Sequence, residues 1–463
     1  MGILTNHHAR WVLPVATEPV RDGTVSVAED GCIAYVGPRD DAPAGIDHDL
    51  GDALLMPGLV NAHSHLELTA MRGFLEGLNF RAWILRLTTS KRAVLTRDDL
   101  LDAARQGIAE GLRAGITTYA DTCDSGVAFD AMLEWGVRGV MYQEVFGPDP
   151  AQCDASMAEL RAKIEAMRPR ETSLVRLGIS PHAPYTVSDA LFRAAAAYAR
   201  ADALPMAIHI AESEVETDLV AGGRGHFADA LRKRGIVVAP RARSPIQLLE
   251  RLGVLDDARP LLIHCVQLLE GDIAAIALAG CGVAHCPASN AKLAHGIAPL
   301  RELMDARVAV GLGSDSVASN NRMSILEEAR LAALFQGARL TRIDAVRAGE
   351  ALALATIGGA RAIGLDDRVG TLEVGKEADL AAFDLRCARA APLHDPETAA
   401  VHALSGCDAI FVAVRGRTLV ERGRLVGEDA AVQERVQDSA DRLAAWMSLQ
   451  GSEPPSPPLS ATR

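Results

Sequence analysis

The sequence predicts an α/β protein: a (β/α)8 TIM barrel with a small β-sandwich domain built from the N- and C-terminal segments. Three observations carry that prediction. From about residue 55 to 365, apolar strand-like runs alternate with helical patterns, as parallel strands joined by crossover helices do. Eight such units over about 300 residues match the size of this barrel. The two ends of the chain carry short β patterns and turns instead.

Residues 1–55 hold "ARWVLPV", "GTVSVAEDG" and "CIAYVG", and are expected to form the N-terminal part of the sandwich. The barrel is expected over 56–365. Its strands are read, in order, from "LLMPGLVNAHSH", "GITTYADT", "GVRGVMYQEV", "SLVRLGISPHA", "LPMAIHIAES", "PLLIHCVQL", "GCGVAHCPAS" and "VAVGLGSDS". Between them, "TRDDLLDAARQGIAEGLRAG" offers Thr96 as an N-cap with Asp99 three residues on, a variant of the capping box. Its apolar positions Leu100, Ala104, Ile108 and Leu112 share one helical face, and Gly115 is placed to end it. "TVSDALFRAAAAYARAD" and "LLEGDIAAIALAG" have the same character. After the barrel, "GTLEVGKEADLAAFDL" and "IFVAVRGRTLVERGRLV" return to β patterns, so 366–428 is expected to complete the sandwich. The remainder, 429–463, reads as a C-terminal helix with a Pro/Ser-rich tail, "SEPPSPPLSATR", expected to be disordered.

Composition narrows the partners. The chain has 463 residues, 49% apolar and 23% charged, with a formal net charge of −13. An acidic chain without a basic, aromatic-interleaved run argues against nucleic acid as a partner. No uncharged apolar run reaches the roughly 18 residues of a membrane span. "MGILTNHHARWVLPV" lacks the basic and apolar regions of a signal peptide. The eight cysteines (32, 123, 153, 265, 281, 286, 387 and 407) form no CxxC. A cytoplasmic enzyme with reduced thiols is the expectation.

The chemistry is expected at the C-terminal ends of the barrel strands. The first strand ends in "HSH", and residues i and i+2 of a strand point to one face, so His63 and His65 share a side. The fourth ends in His182, the fifth in His209 with Glu212, the sixth in His264, the seventh in His285 and the eighth in Asp315. Six of the 13 histidines therefore fall on strand ends. A lone strand-end histidine is more often a hydrogen-bonded structural residue than a ligand. The HxH pair together with His209 and Asp315 makes a ligand set, whose imidazoles and carboxylate suit Zn²⁺ or Fe²⁺. His285, in "HCPASN", falls either in the substrate pocket or behind the ligands. His7, His8, His48, His226, His295, His394 and His402 read as surface or loop residues with no role.

"PGLVNAHSH", "HIAESEVE", "LLIHCV", "HCPASNAKLAHGIAPL" and "GLGSDSVASNN" resemble the amidohydrolase superfamily. More narrowly they resemble its metal-dependent branch of adenosine, S-adenosylhomocysteine, methylthioadenosine and aminodeoxyfutalosine deaminases and chlorohydrolases. The resemblance covers nearly the whole chain. It implies that His63, His65, His209 and Asp315 bind one divalent metal, Zn²⁺ in first place and Fe²⁺ second, which activates a water molecule. It implies Glu212 as proton shuttle, His264 as the group polarising the attacking water or the product oxygen, and Asp315 as both ligand and base. Binuclear relatives carry a lysine at the end of strand four. "LVRLGISPHA" has none, which favours one metal.

For the substrate, "SPHAPYTVS" resembles the strand-four motif of nucleoside deaminases and implies that His182 contacts the nucleoside. "FRAWILRL" puts Trp83 in the pocket loop of that branch. The following "LRLTTSKRAVL" lacks the acidic residue that binds ribose there, leaving Glu67 and Glu144 as spare carboxylates. The expected function is hydrolytic deamination of an aminated purine nucleoside or similar small heterocycle, with release of ammonia. A guanine-type deaminase or a triazine-like chlorohydrolase of the same branch is the alternative, and a non-catalytic scaffold the remote one. Homo-oligomerisation is expected as for many soluble enzymes.

Overall fold

The structure, a computed structural model, describes residues 2–450. The Pro/Ser-rich tail lies outside the described residues. Five short strands open the chain: β1 (Thr5–Val12), β2 (Val20–Val27), β3 (Ile33–Pro38), β4 (Ile46–Asp49) and β5 (Ala53–Pro57). Eight follow, separated by helices: β6 (Leu59–Ser64), β7 (Ile116–Cys123), β8 (Arg138–Val145), β9 (Val175–Pro181), β10 (Ala207–Ile210), β11 (Leu261–His264), β12 (Gly282–His285) and β13 (Ala309–Leu312). β14 (Leu380–Asp384), β15 (Ala409–Val414), β16 (Arg417–Glu421) and β17 (Arg424–Leu425) come last.

The two ends of the chain meet. β5 runs parallel to β1 and antiparallel to β14, where Leu55 faces Ala382. The result is one nine-stranded sheet in the order β17-β16-β15-β14-β5-β1-β2-β3, with β4 paired to β1. The run expected as a single first strand, "LLMPGLVNAHSH", is therefore two strands in two sheets. The chain changes sheets at Gly58, where a Cβ would lie 2.2 Å from Thr117 Oγ1. Only glycine lets the backbone pass that close to β7.

The eight central strands are parallel and form two four-stranded sheets, β6-β7-β8-β9 and β10-β11-β12-β13. Single bridges join the sheets at both edges, Ile179 with Met206 and Ser64 with Asp315. Every residue of β6, β7, β8, β10, β11 and β12 is buried, as strands covered on both faces require. The helices stand where the periodicity places them. α1 spans Phe80–Val94 and α2 spans Arg97–Arg113, the latter with Thr96 and Asp99 closing a capping box. Gly115 follows α2 at φ +84°. α1 occupies the stretch expected as a pocket loop, so Trp83 lies on a helix.

Buried charge ties the central strands to the terminal sheet. Arg138, fully buried at the start of β8, donates to Asp379 (2.8 Å to each oxygen) and to Glu377 (2.7 Å). The C-terminal helix Ala431–Gln450 returns over α2, with Arg435 on Asp102 (2.6 Å) and Ser439 on Asp99 (2.9 Å). Its Leu443 packs among Leu68, Met71 and Ala318, next to Trp83 and Leu87 of α1. His7 and His8, expected at the surface, are buried strand residues of β1 instead. Each finds a partner: Nδ1 of His7 lies 3.1 Å from Nδ1 of His48, and Nδ1 of His8 lies 2.7 Å from Thr24 Oγ1. No helix among the described residues is long and apolar enough to cross a membrane.

Candidate active site

The ends of the central strands bring His63, His65, His209 and Asp315 together. Asp315 Oδ1 lies 3.3 Å from His63 Nε2 and 3.6 Å from His65 Nε2. His209 Nε2 lies 3.3 Å from His65 Nε2. Two imidazole nitrogens at that distance, beside a carboxylate, form a compact set of donor atoms. The ring nitrogens of His63 are buried and have no hydrogen-bond partner. An orphaned buried imidazole is costly unless something ligates it, and a divalent ion fits this donor set.

The remaining atoms of these groups are held in place. His209 Nδ1 lies 3.3 Å from the His182 carbonyl, to which it donates. Thr122 Oγ1 lies 3.2 Å from His65 Nδ1. Asp315 Oδ2 accepts from the hydroxyls of Ser289 and Ser319, the latter at 2.9 Å. That leaves Oδ1 turned to the histidines. Asp315 sits at φ +55° and His264 at φ +78°, left-handed conformations that non-glycine residues adopt mainly where the surroundings enforce them.

Burial sets the protonation of this cluster. It lowers the pKa of His63, brings that of His65 down to about 3, and takes His209 well below the usual imidazole range, with neighbouring imidazoles adding to the effect at His65 and His209. Neutral imidazoles are the form that binds metal. Burial alone would raise Asp315, but His63, His264 and His65 hold it well below the usual carboxylate range.

Glu212 lies beside the cluster, three residues after His209. Its Oε1 is 3.7 Å from His264 Nε2 and 3.3 Å from His295 Nε2. Burial would raise its pKa, but His264 and then His295 lower it. His264 Nδ1 lies 3.0 Å from Asn290 Oδ1, an acceptor that turns Nε2 toward Glu212. His295 corrects the sequence reading, which gave it no role. It is buried, and its ring meets Phe80 of α1 edge-on at 4.5 Å. No strand-end signal marks it, because it lies ten residues past the end of β12 in a loop that folds back over Glu212.

The turn carrying Glu212 is braced from below. Glu216, fully buried, accepts from the backbone N–H of Ala211 and of Glu212, both at 2.9 Å. Ala211 stands at φ +51°. Burial lifts the Glu216 carboxyl to about 8 in spite of those two donors. Asp121 does the same for the first strand end, accepting from Ser64 Oγ (2.8 Å) and the Leu66 N–H (2.7 Å). Glu328 accepts from the Ala288 N–H (3.0 Å) and Asn320 (3.1 Å), bracing the two short helices that hold Ser289 and Ser319.

The residues expected to meet substrate divide. His182 stands at the end of β9, its ring 4.7 Å from that of His209. His285 is buried, with no partner for either ring nitrogen. Trp83 is half-buried and donates from Nε1 to the Ala318 carbonyl at 3.4 Å, just beyond Asp315. Of the two spare carboxylates, Glu67 is taken: Lys91 and Ser125 donate to it, and Cys123 Sγ lies 3.1 Å away. Glu144 is not, and its Oε1 is buried without a partner.

Residues 54–419 match the model of the amidohydrolase family. A 5-methylthioadenosine/S-adenosylhomocysteine deaminase of Moorella thermoacetica is 33% identical over 427 residues, covering 90% of this chain and 94% of that one. Among solved structures, a zinc-bound adenosine deaminase from Xanthomonas campestris superposes with a TM-score of 0.84 at 30% identity, covering 95% of this chain and 98% of that one. The zinc complex of atrazine chlorohydrolase from Arthrobacter aurescens TC1 superposes at 0.81 with 25% identity, covering 95% of this chain and all of that one.

Proposed function

The chain belongs to the amidohydrolase family, and from that premise we propose that it is a metal-dependent hydrolase that deaminates an aminated purine nucleoside, releasing ammonia. The observation that carries this reading is the convergence of His63, His65, His209 and Asp315, with Glu212 and His264 beside them. The deaminase names of the relatives support the reaction. We further read the two four-stranded sheets as halves of one closed (β/α)8 barrel and the terminal sheet as a β-sandwich; the bridges at Ile179 and Ser64 support the closure. The eight unpaired thiols support a cytoplasmic location.

His63, His65, His209 and Asp315 would hold one divalent ion, Zn²⁺ before Fe²⁺; the zinc-bound neighbours support that order. When bound, it supplies the Lewis acidity that lets water lose a proton near neutral pH. The protein's own groups then move two protons. Glu212 and Asp315 both have carboxyl pKa values below the usual range, so both begin as acceptors. Glu212 takes the first proton of the attacking water and passes it to the ring nitrogen next to the carbon under attack. The water oxygen bonds to that carbon, giving a tetrahedral centre that bears hydroxyl and amine. Asp315 takes the remaining hydroxyl proton and gives it to the amine. The C–N bond breaks, ammonia leaves, and the carbon keeps a carbonyl oxygen. His264, held through Nδ1 by Asn290, would present Nε2 to the attacking water or to the product oxygen. Trp83, His182 and His285 would line the substrate pocket.

Glu212→Gln is the test. It removes the proton acceptor and keeps the shape, so turnover falls by at least roughly 100-fold while one metal per chain remains. Retained activity refutes the role of Glu212. Loss of metal along with activity would make Glu212 a ligand instead.

A further inference from the structure

Glu144, next to the last residue of β8, has nothing to bind. Its side chain is buried, Oε1 has no partner, and no described residue hydrogen-bonds either carboxyl oxygen. One of its oxygens lies within 4.8 Å of a ring nitrogen of His182 and of one of His209. The hydrogen bonds around these rings decide what they offer. Thr186 Oγ1 donates to the Ala183 carbonyl at 3.2 Å, so it accepts from His182 Nδ1 at 2.8 Å. His182 is then protonated on Nδ1, and its Nε2 carries a free lone pair. His209 spends both nitrogens, Nδ1 on the His182 carbonyl and Nε2 among the metal ligands. A second metal would therefore find only two protein donors here, too few for a structural or catalytic site.

What remains is a buried carboxyl group and an imidazole lone pair, neither of which is hydrogen-bonded by another described residue. They belong to the ends of β8 and β9, whereas Glu212, His264 and His295 lie at or after the ends of β10, β11 and β12. A carboxyl oxygen accepts in either protonation state, so this arrangement calls for an O–H or N–H on the bound molecule. We infer that Glu144, with His182, is the subsite that reads a hydrogen-bond donor of the substrate, a sugar hydroxyl or an N–H of the base. The inference rests on the deaminase reading and deepens it. It separates Glu144 from Glu67, which is similarly buried but is saturated by Lys91, Ser125 and Cys123.

Two variants and four substrates test it. Glu144→Leu removes the acceptor and keeps the bulk; Glu144→Gln keeps a carbonyl acceptor. Ammonia release is followed with adenosine, 2′-deoxyadenosine, 3′-deoxyadenosine and adenine, with metal content measured for each protein. The expected result is a roughly 10- to 100-fold loss of kcat/KM on adenosine in the leucine variant, most of it restored by glutamine, with one metal per chain throughout. If the donor is a sugar hydroxyl, the wild-type enzyme discriminates against one deoxynucleoside by a similar factor and the leucine variant does not, the non-additivity of two partners in one contact. If the donor is a base N–H, the leucine variant loses the same factor on every substrate. An active wild-type enzyme whose leucine variant is unchanged on all four, or whose leucine variant loses its metal, overturns this inference alone. A metal-loaded wild-type enzyme silent on all four overturns the deaminase reading on these substrates and the inference with it.

Discussion

Glu216 allows the site's architecture to be tested apart from its chemistry. It touches neither the ligand set nor the substrate, yet it accepts the two N–H groups that shape the turn bearing Glu212. Glu216→Ala strands both donors in a fully buried position. A buried group left without its partner costs about 1–3 kcal/mol, so the two together cost about 2–6 kcal/mol. Removing a buried carboxyl also removes its own desolvation cost, and the net loss belongs at the lower end, about 2 kcal/mol. Ala211 adds to the effect, because its left-handed backbone no longer has a brace. The kinetic consequence follows from position. A catalytic group displaced by about 1 Å can cost roughly 100-fold in rate, and Glu212 moves with its own backbone N–H. Urea denaturation and steady-state ammonia release measure the two effects side by side. The expected outcome is a lower denaturation midpoint, a kcat reduced at least about tenfold, a KM changed by less than about threefold, and an unchanged metal content, since His209 is fixed by β10. Glu216→Gln, which keeps one acceptor oxygen, should fall between. An alanine variant with wild-type kcat and stability would refute the bracing role.

Three further outcomes follow. Arg138→Met leaves Asp379 and Glu377 without their main cation, and breaking such a buried pair should cost about 3–5 kcal/mol in denaturation experiments; a loss below about 1 kcal/mol would show that the link between β8 and the terminal sheet carries little. Burial, then His48 and His8, lower the pKa of His7 to about 4, so the folded state refuses a proton that the unfolded chain accepts. Stability is therefore full above about pH 6.5 and falls as pH drops toward 4, by up to about 3 kcal/mol from this group; a His7→Asn variant should show a shallower acid limb, and an identical one would remove His7 as the cause. His295→Ala frees Oε1 of Glu212 and should lower kcat more than it changes KM, with metal retained; an unchanged kcat would leave His295 a packing residue under Phe80.

The sequence disclosed the parts of the site that local rules place. A strand end followed by His, or by His and a nearby Glu, can be recognised within a few residues, so the HxH pair, His209, Glu212, His264 and Asp315 stand out. What surrounds them is set by chain paths that no local pattern encodes. Ser289 and Ser319 reach Asp315 from two different short helices. His295 reaches Glu212 across 83 positions of sequence, because its loop turns back over the strand ends. Glu67 and Glu144 look alike in one dimension and differ because Lys91 from α1, with Ser125 and Cys123, reaches only Glu67. The same holds for the fold. The meeting of the two ends follows from their shared β character, whereas the change of sheet at Gly58 depends on the approach of Thr117 and is hidden inside one apolar run. His7 and His8 look polar enough for the surface, and only the pairing of β1 with β2 and β4 encloses them.

The central claim is that one metal held by His63, His65, His209 and Asp315 supports nucleoside deamination. The most direct measurement is ammonia release from methylthioadenosine, S-adenosylhomocysteine and adenosine by protein carrying one zinc per chain, run beside the same protein stripped by a chelator. The account predicts turnover of at least one nucleoside, lost on stripping and restored by one equivalent of zinc. Zinc-loaded protein that releases no ammonia from any of the three, or stripped protein that works as well as loaded protein, would contradict it.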